Sequence, residues 1–146
     1  MDASFPALAG AWRLVSFEFR TADGSVIHPF GKHAQGTLIY TESGRYSAQV
    51  MRADRPRFAV GDQMLGSPEE MSANFKGCIS YFGSYEVDRR AGTIVHHVEG
   101  SLFPNMQGGD QVRAFRLSEH RLQLQTQSIP FNGQRAVGIF IWERIE

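Results

Sequence analysis

The chain has 146 residues with 15 basic and 15 acidic side chains, 42% hydrophobic content and one cysteine, which suits a single domain over residues 1–146 and falls short of two ordinary ones. Zero formal net charge removes the electrostatic footprint of non-specific nucleic-acid or anionic-membrane binding, so neither nucleic acid nor membrane is an expected partner. Cys78 alone cannot form an internal disulfide and no Cys/His grouping has zinc spacing, so the core alone is expected to hold the fold, with no metal site.

Met1 to Pro6 carries an acid and a proline where a secretory signal has a basic region and a long apolar run. No stretch reaches the roughly 20 apolar residues of a membrane-spanning helix. A cytoplasmic location is therefore expected, and no sequence signal speaks to oligomeric state.

Fifteen glycines and 12% aromatics, with many β-branched residues, favour short strands and tight turns over long helices. In chain order, alternating or short apolar runs predict eight strands: Trp12 to Arg20, Gly36 to Thr41, Tyr46 to Met51, Cys78 to Asp88, Thr93 to Gly100, Gln111 to Ser118, Arg121 to Ser128 and Arg135 to Arg144. Turn signals such as Asp23-Gly24, Glu42-Ser43-Gly44, Arg90-Ala91-Gly92 and Asn132-Gly133 make most connections short, hence antiparallel. The long connection from Arg52 to Gly77 holds a predicted helix from Pro68 to Lys76. Ser67 is its N-cap, Glu70 completes a capping box and Gly77 terminates it. Short loops favour a closed eight-stranded up-and-down barrel, whose interior can take one small ligand, over a two-sheet sandwich.

Particular segments add a family signal. Gly10-Ala11-Trp12 opens the first strand and Trp142-Glu143-Arg144 closes the last. Between them lie His28-Pro29-Phe30-Gly31, Gly36 to Thr41, Tyr46 to Arg52, Tyr81 to Val87, Val95 to Val98 running on to Ser101-Leu102-Phe103-Pro104-Asn105, and Gln111 to Phe115. Together these resemble the lipocalin-like domain family of bacteria and fungi over nearly the whole chain. The resemblance implies a lipocalin-like barrel in which Arg144 lies across Trp12 at the closed end. It says less about activity, because members are mostly of unknown function and some occur beside biosynthetic enzymes for small organic metabolites.

Strand parity selects the candidate site, since alternate residues face opposite sides. His96 shares a face with Ile94 and Val98, Arg113 with Phe115 and Leu117, and Tyr81 with Gly83 and Tyr85. Turned inward, these place His96, Arg113, Tyr81 and Tyr85 around one cavity, with Gly83 as a side-chain-free gap. Arg113 could hold a carboxylate or enolate through two hydrogen bonds, His96 could take a proton from an acidic C–H, and Tyr81 could donate to a developing oxyanion. These three are the catalytic candidates. Tyr85, Phe103, Asn105, Phe115 and Thr126 are the ligand-binding candidates, with Phe103, Asn105 and Met106 at the open rim. The structural alternative pairs Arg113 with Glu86, Glu99 or Glu143 and leaves His96 a satisfied interior side chain.

Other residue types offer less. His97 faces away from His96, so the pair is a poor metal site. Cys78 has no basic activator and reads as a small buried filler. Arg52, Arg55 and Arg57 sit in a loop that is either a basic lip over an anionic ligand or simply solvated. No glycine-rich phosphate loop opens a helix, so no cofactor is expected. Three functions follow: binding of a small, mostly apolar molecule with a polar or anionic head, cofactor-free isomerase, cyclase or lyase chemistry on a small substrate in the same cavity, or, third, binding of a protein partner through a strand edge or the Arg52 loop.

Overall fold

Antiparallel strands with period-two burial account for most of residues 7–146, the part of the chain that the computed structural model describes. They are β1 (Gly10–Thr21), β2 (Val26–Ile27), β3 (Gln35–Tyr40), β4 (Arg45–Met51), β5 (Cys78–Asp88), β6 (Thr93–Ser101), β7 (Asp110–Leu117), β8 (Arg121–Phe131) and β9 (Gln134–Arg144). Each of the eight predicted strands is present. The addition is β2, a two-residue strand that pairs only with Phe19 and Arg20 of β1.

Around the sheet the order is β1-β3-β4-β5-β6-β7-β8-β9, and β9 pairs back onto β1 from Trp12↔Arg144 to Thr21↔Ala136. This pairing closes an eight-stranded barrel and excludes the open sandwich. Closure also satisfies the strand edges that an open sheet would present. Register slips between Leu14 and Ser16 in β1 and between Gln125 and Ser128 in β8 let one strand face the core with Trp12 and Leu14 and then, one residue out of phase, with Phe17 and Phe19.

The helix of the long connection, α1 (Pro68–Lys76), has the expected limits. The Ser67 hydroxyl accepts from the Glu70 amide at 3.1 Å, and the Glu70 carboxylate accepts from the Ser67 amide at 2.8 Å. None of its residues is buried, so α1 rides on the barrel and takes no part in its core. No described helix is long and apolar enough to cross a membrane.

Up-and-down topology puts the start of β1 and the end of β9 at the same end as the turns after β3, β5 and β7. There Trp12 is fully buried and its indole N–H donates to the Leu8 carbonyl at 2.9 Å. The Arg144 guanidinium carbon lies 4.2 Å from the Trp12 ring centre, and the group donates to the carbonyls of Ala7, Ala9 and Glu119. Cation, ring and carbonyls together seal this end, as the family resemblance implied. The Arg52-to-Gly77 connection and residues 102–109 crown the opposite end.

Candidate ligand site inside the barrel

Three neighbouring strands carry the polar interior. In β5, Tyr81, Gly83 and Tyr85 are buried while Phe82 is half exposed; in β6, Ile94, His96 and Val98 are buried; in β7, Arg113 is buried. Tyr85 stands opposite His96, and Arg113 stands opposite Ile94, one diagonal step from His96. A bulge interrupts the β5–β6 pairing, since Phe82 faces Gly100 but Gly83 faces Val98. It leaves Glu99 without a cross-strand partner on β5 and lies beyond His96, so the parity of the cluster survives.

The bulge also corrects the reading of Gly83. A Cβ there would lie 1.9 Å from the His97 carbonyl oxygen. The missing side chain makes room for backbone, and no gap faces the interior at this point. The same carbonyl accepts from the Tyr46 hydroxyl at 3.3 Å.

His96 is the centre of the cluster and is fully buried. Its Nε2 lies 2.6 Å from the Tyr40 hydroxyl and its Nδ1 3.4 Å from the Tyr81 hydroxyl, while Tyr46 stacks on the ring at 4.3 Å and 20°. Burial, followed by the Arg113 charge and then that of His97, holds the imidazole well below its ordinary pKa, so the ring is neutral. Burial raises the Tyr40 phenol well above its ordinary range. Nε2 is the one acceptor that the Tyr40 hydroxyl reaches among the described residues. Tyr40 therefore donates to Nε2, and the remaining ring proton sits on Nδ1, facing the Tyr81 oxygen. That arrangement leaves the Tyr81 hydroxyl proton without an acceptor on His96.

Arg113, 7% exposed, forms no ion pair among the described residues. Its guanidinium reaches the Gln111 side-chain oxygen at 3.4 and 3.5 Å and the Val112 carbonyl at 3.3 Å. The carboxylates expected to pair with it are engaged elsewhere: Glu86 with His97, Glu99 with Arg45 and Glu143 with Arg13. A buried cation held by long, neutral contacts alone is costly unless an anion meets it.

Four tyrosines occur in the chain, and all four surround His96 or its neighbours. Tyr40 and Tyr46 were not singled out from the sequence, although Tyr40 shares parity with Leu38, and Tyr46 with Ala48 and Val50. What the sequence lacked was the pairing Tyr40↔Tyr46 and Tyr46↔Gly83 that carries both across to β5. Tyr85 donates to the Thr41 carbonyl at 2.7 Å, packs its ring 4.6 Å from Tyr40, and has its pKa pushed up to about 12 by burial and then by Glu42.

The remaining candidates are spread more widely. Phe115 is half-buried against the core. Thr126 is buried, but its hydroxyl donates to the Gln127 carbonyl at 2.7 Å and accepts from the Gly138 amide at 2.8 Å, which clasps the β8 bulge. Phe103 and Asn105 are exposed in the β6–β7 connection, where Phe103 meets Phe75 of α1 edge-on at 6.4 Å. Cys78 is half-buried, short of the full burial expected for a filler, and burial raises its thiol pKa. Arg52 pairs with Asp54 and donates to the Pro29 carbonyl of the β2–β3 connection at 3.0 Å, and Arg55 donates to Asn74 of α1 at 2.7 Å, so both guanidinium groups have partners within the protein.

On the outer face, His97 lies between Asp110 at 2.7 Å and Glu86 at 2.8 Å, and these hydrogen bonds raise its pKa. Its two ring nitrogens point to different carboxylates. No grouping able to hold a metal ion occurs among the described residues.

Comparison with known proteins agrees with this architecture. A 4'-hydroxy-3'-methoxypropiophenone carrier protein of Aspergillus oryzae is 31% identical over 86 residues, which span 55% of this chain and 78% of that protein. The lipocalin-like domain matches residues 9–145. With that match running from the Trp12 end of β1 to the Arg144 end of β9, the chain belongs to the lipocalin-like domain family.

Proposed function

We propose that this protein, working as one cytoplasmic domain, binds and carries a single small, mostly apolar organic molecule inside the barrel, with the molecule's polar or anionic head against Arg113 and Tyr81. The observation that carries this reading is the buried Arg113, a cation without a carboxylate among the described residues. Its planar fork suits a carboxylate, enolate or phenolate oxygen. Support comes from the barrel family and from a relative named as the carrier of an aryl ketone that bears a phenolic hydroxyl. Native mass spectrometry of protein purified from its source tests the proposal. One small molecule retained per chain and released on unfolding is the expected result; a ligand-free chain that also retains no added hydroxyaryl ketone would overturn it.

The same residues allow a second reading, a cofactor-free isomerase, cyclase or lyase. The short Tyr40–His96 hydrogen bond bears on it directly. Because Nε2 already accepts from Tyr40 and Nδ1 carries the ring proton, His96 is not a free base and would have to act through Tyr40. Carriage is therefore the better fit. His96→Ala separates the two: a carrier keeps measurable binding and has no turnover to lose, whereas an enzyme keeps binding and loses turnover.

A further inference from the structure

The wall opposite the tyrosines holds a polar atom without a use. Trp142 is 2% exposed, and its Nε1 is buried with no hydrogen-bond partner, alone in this among the side chains of the described residues. The chain's other tryptophan, Trp12, has its indole N–H satisfied by the Leu8 carbonyl. Buried donors are paired with few exceptions, and an unpaired one carries its full desolvation cost. Packing does not call for that atom, because Trp142 stacks on Phe140 at 6.3 Å and 12° and Phe140 stacks on Phe17 at 4.2 Å and 7°, a run that a phenyl ring would continue.

Position gives the orphan donor its meaning. Around the ring of eight strands β9 stands four places from β5, so the Trp142 wall faces the Tyr81 wall across the barrel axis. Trp142 shares inward parity with Ala136, Gly138 and Phe140. A guest lying between the walls meets flat rings and a neutral N–H donor on β9, the Tyr81 donor on the facing β5, and the Arg113 donor on β7, midway between the two.

We infer that Trp142 is a ligand contact whose indole N–H donates to an acceptor oxygen of the guest, distinct from the head group at Arg113. This rests on the carrier reading above and narrows it to planar aromatic molecules with two separated oxygen functions, one acidic and one a neutral acceptor such as a ketone carbonyl. A donor facing a carbonyl discriminates against an analogue that lacks it, because the N–H then stays unpaired.

Two probes test this: 4'-hydroxypropiophenone, and 4-propylphenol, which has the same ring, hydroxyl and chain length without the carbonyl. In wild-type protein labelled with nitrogen-15 the two tryptophans give two indole N–H signals. The ketone should move the Trp142 signal downfield and leave that of Trp12 in place, while propylphenol binds without that shift. Trp142→Phe, shown to be folded by circular dichroism, should weaken ketone binding about tenfold and leave propylphenol binding unchanged. An unmoved Trp142 signal with the ketone bound overturns the inference alone, as does an equal loss for both probes in the variant. Should neither probe bind the wild-type protein, the carrier reading falls with it. The labelling experiment needs no variant, so it decides the matter even if Trp142→Phe fails to fold.

Discussion

Burying a neutral imidazole makes stability depend on pH with a definite sign. Unfolded His96 titrates near 6.5, whereas the folded ring stays neutral well below that value. As pH falls below about 6.5 the unfolded chain takes up a proton that the folded chain refuses, so stability is present above that pH and lost below it, at up to about 1.4 kcal/mol per pH unit. His97 has the opposite sign. Its raised pKa, due first to Asp110 and then to Glu86, stabilises the folded chain below its folded pKa and fades as pH rises through it, weakly because the pair is exposed. Urea denaturation between pH 8 and pH 5 should thus show a maximum near 6.5. His96→Gln should flatten the acid limb, since glutamine can still accept from Tyr40 and cannot titrate; an unchanged acid limb would refute the assignment. Arg113 invites a complementary substitution. Arg113→Met should keep or raise the thermal midpoint of the ligand-free protein, because an apolar side chain replaces an unpaired buried cation. A fall of several degrees would instead show that the guanidinium is a structural tie.

At the scale of elements, bulges and caps set what each strand can present. Gly83→Ala forces a Cβ against the His97 carbonyl at the β6 bulge, and should cost about 3 kcal/mol by urea denaturation, since backbone must move on one strand or the other. Ser67→Ala should behave differently. It removes a cap worth about 1 kcal/mol, but α1 buries no residue, so the loss should appear as faster amide exchange within α1 and hardly move the global midpoint. The same contrast explains what could be read without coordinates. The limits of α1 were legible because Ser67, Pro68, Glu70 and Gly77 each mark a helix end by local chemistry. The inward parity of His96, Arg113, Tyr81 and Tyr85 was legible because period-two alternation within one strand needs no knowledge of its neighbours. The bulges at Leu14/Ser16, at Glu99 and after Gln125 were not, because each depends on two strands meeting out of step. For the same reason Tyr40 and Tyr46 escaped notice, and Gly83 was read as open space. Ion pairing was hidden too: nothing local says that Glu86, Glu99 and Glu143 engage His97, Arg45 and Arg13 in place of Arg113.

Across the whole molecule, the barrel divides labour between its two ends. Arg144 binds three carbonyls and the face of Trp12, which closes one end and ties the last strand to the residues before the first. Arg144→Ala should destabilise the protein by about 2 kcal/mol or more, and Arg144→Lys should recover little of it, because a point charge cannot reproduce a planar group that stacks and donates in three directions. Thermal unfolding of the two variants checks this. With one end plugged, the proposed carrier would admit its guest at the end crowned by α1 and the β6–β7 connection, with the guest's head toward Arg113 and the tyrosines. Isothermal titration of 4'-hydroxypropiophenone into the wild-type protein and Arg113→Met tests that account most directly. It predicts one site per chain in the wild type and binding about tenfold weaker or worse in the variant, with both proteins equally folded. Equal affinity in the two proteins, or no binding to either, would contradict it.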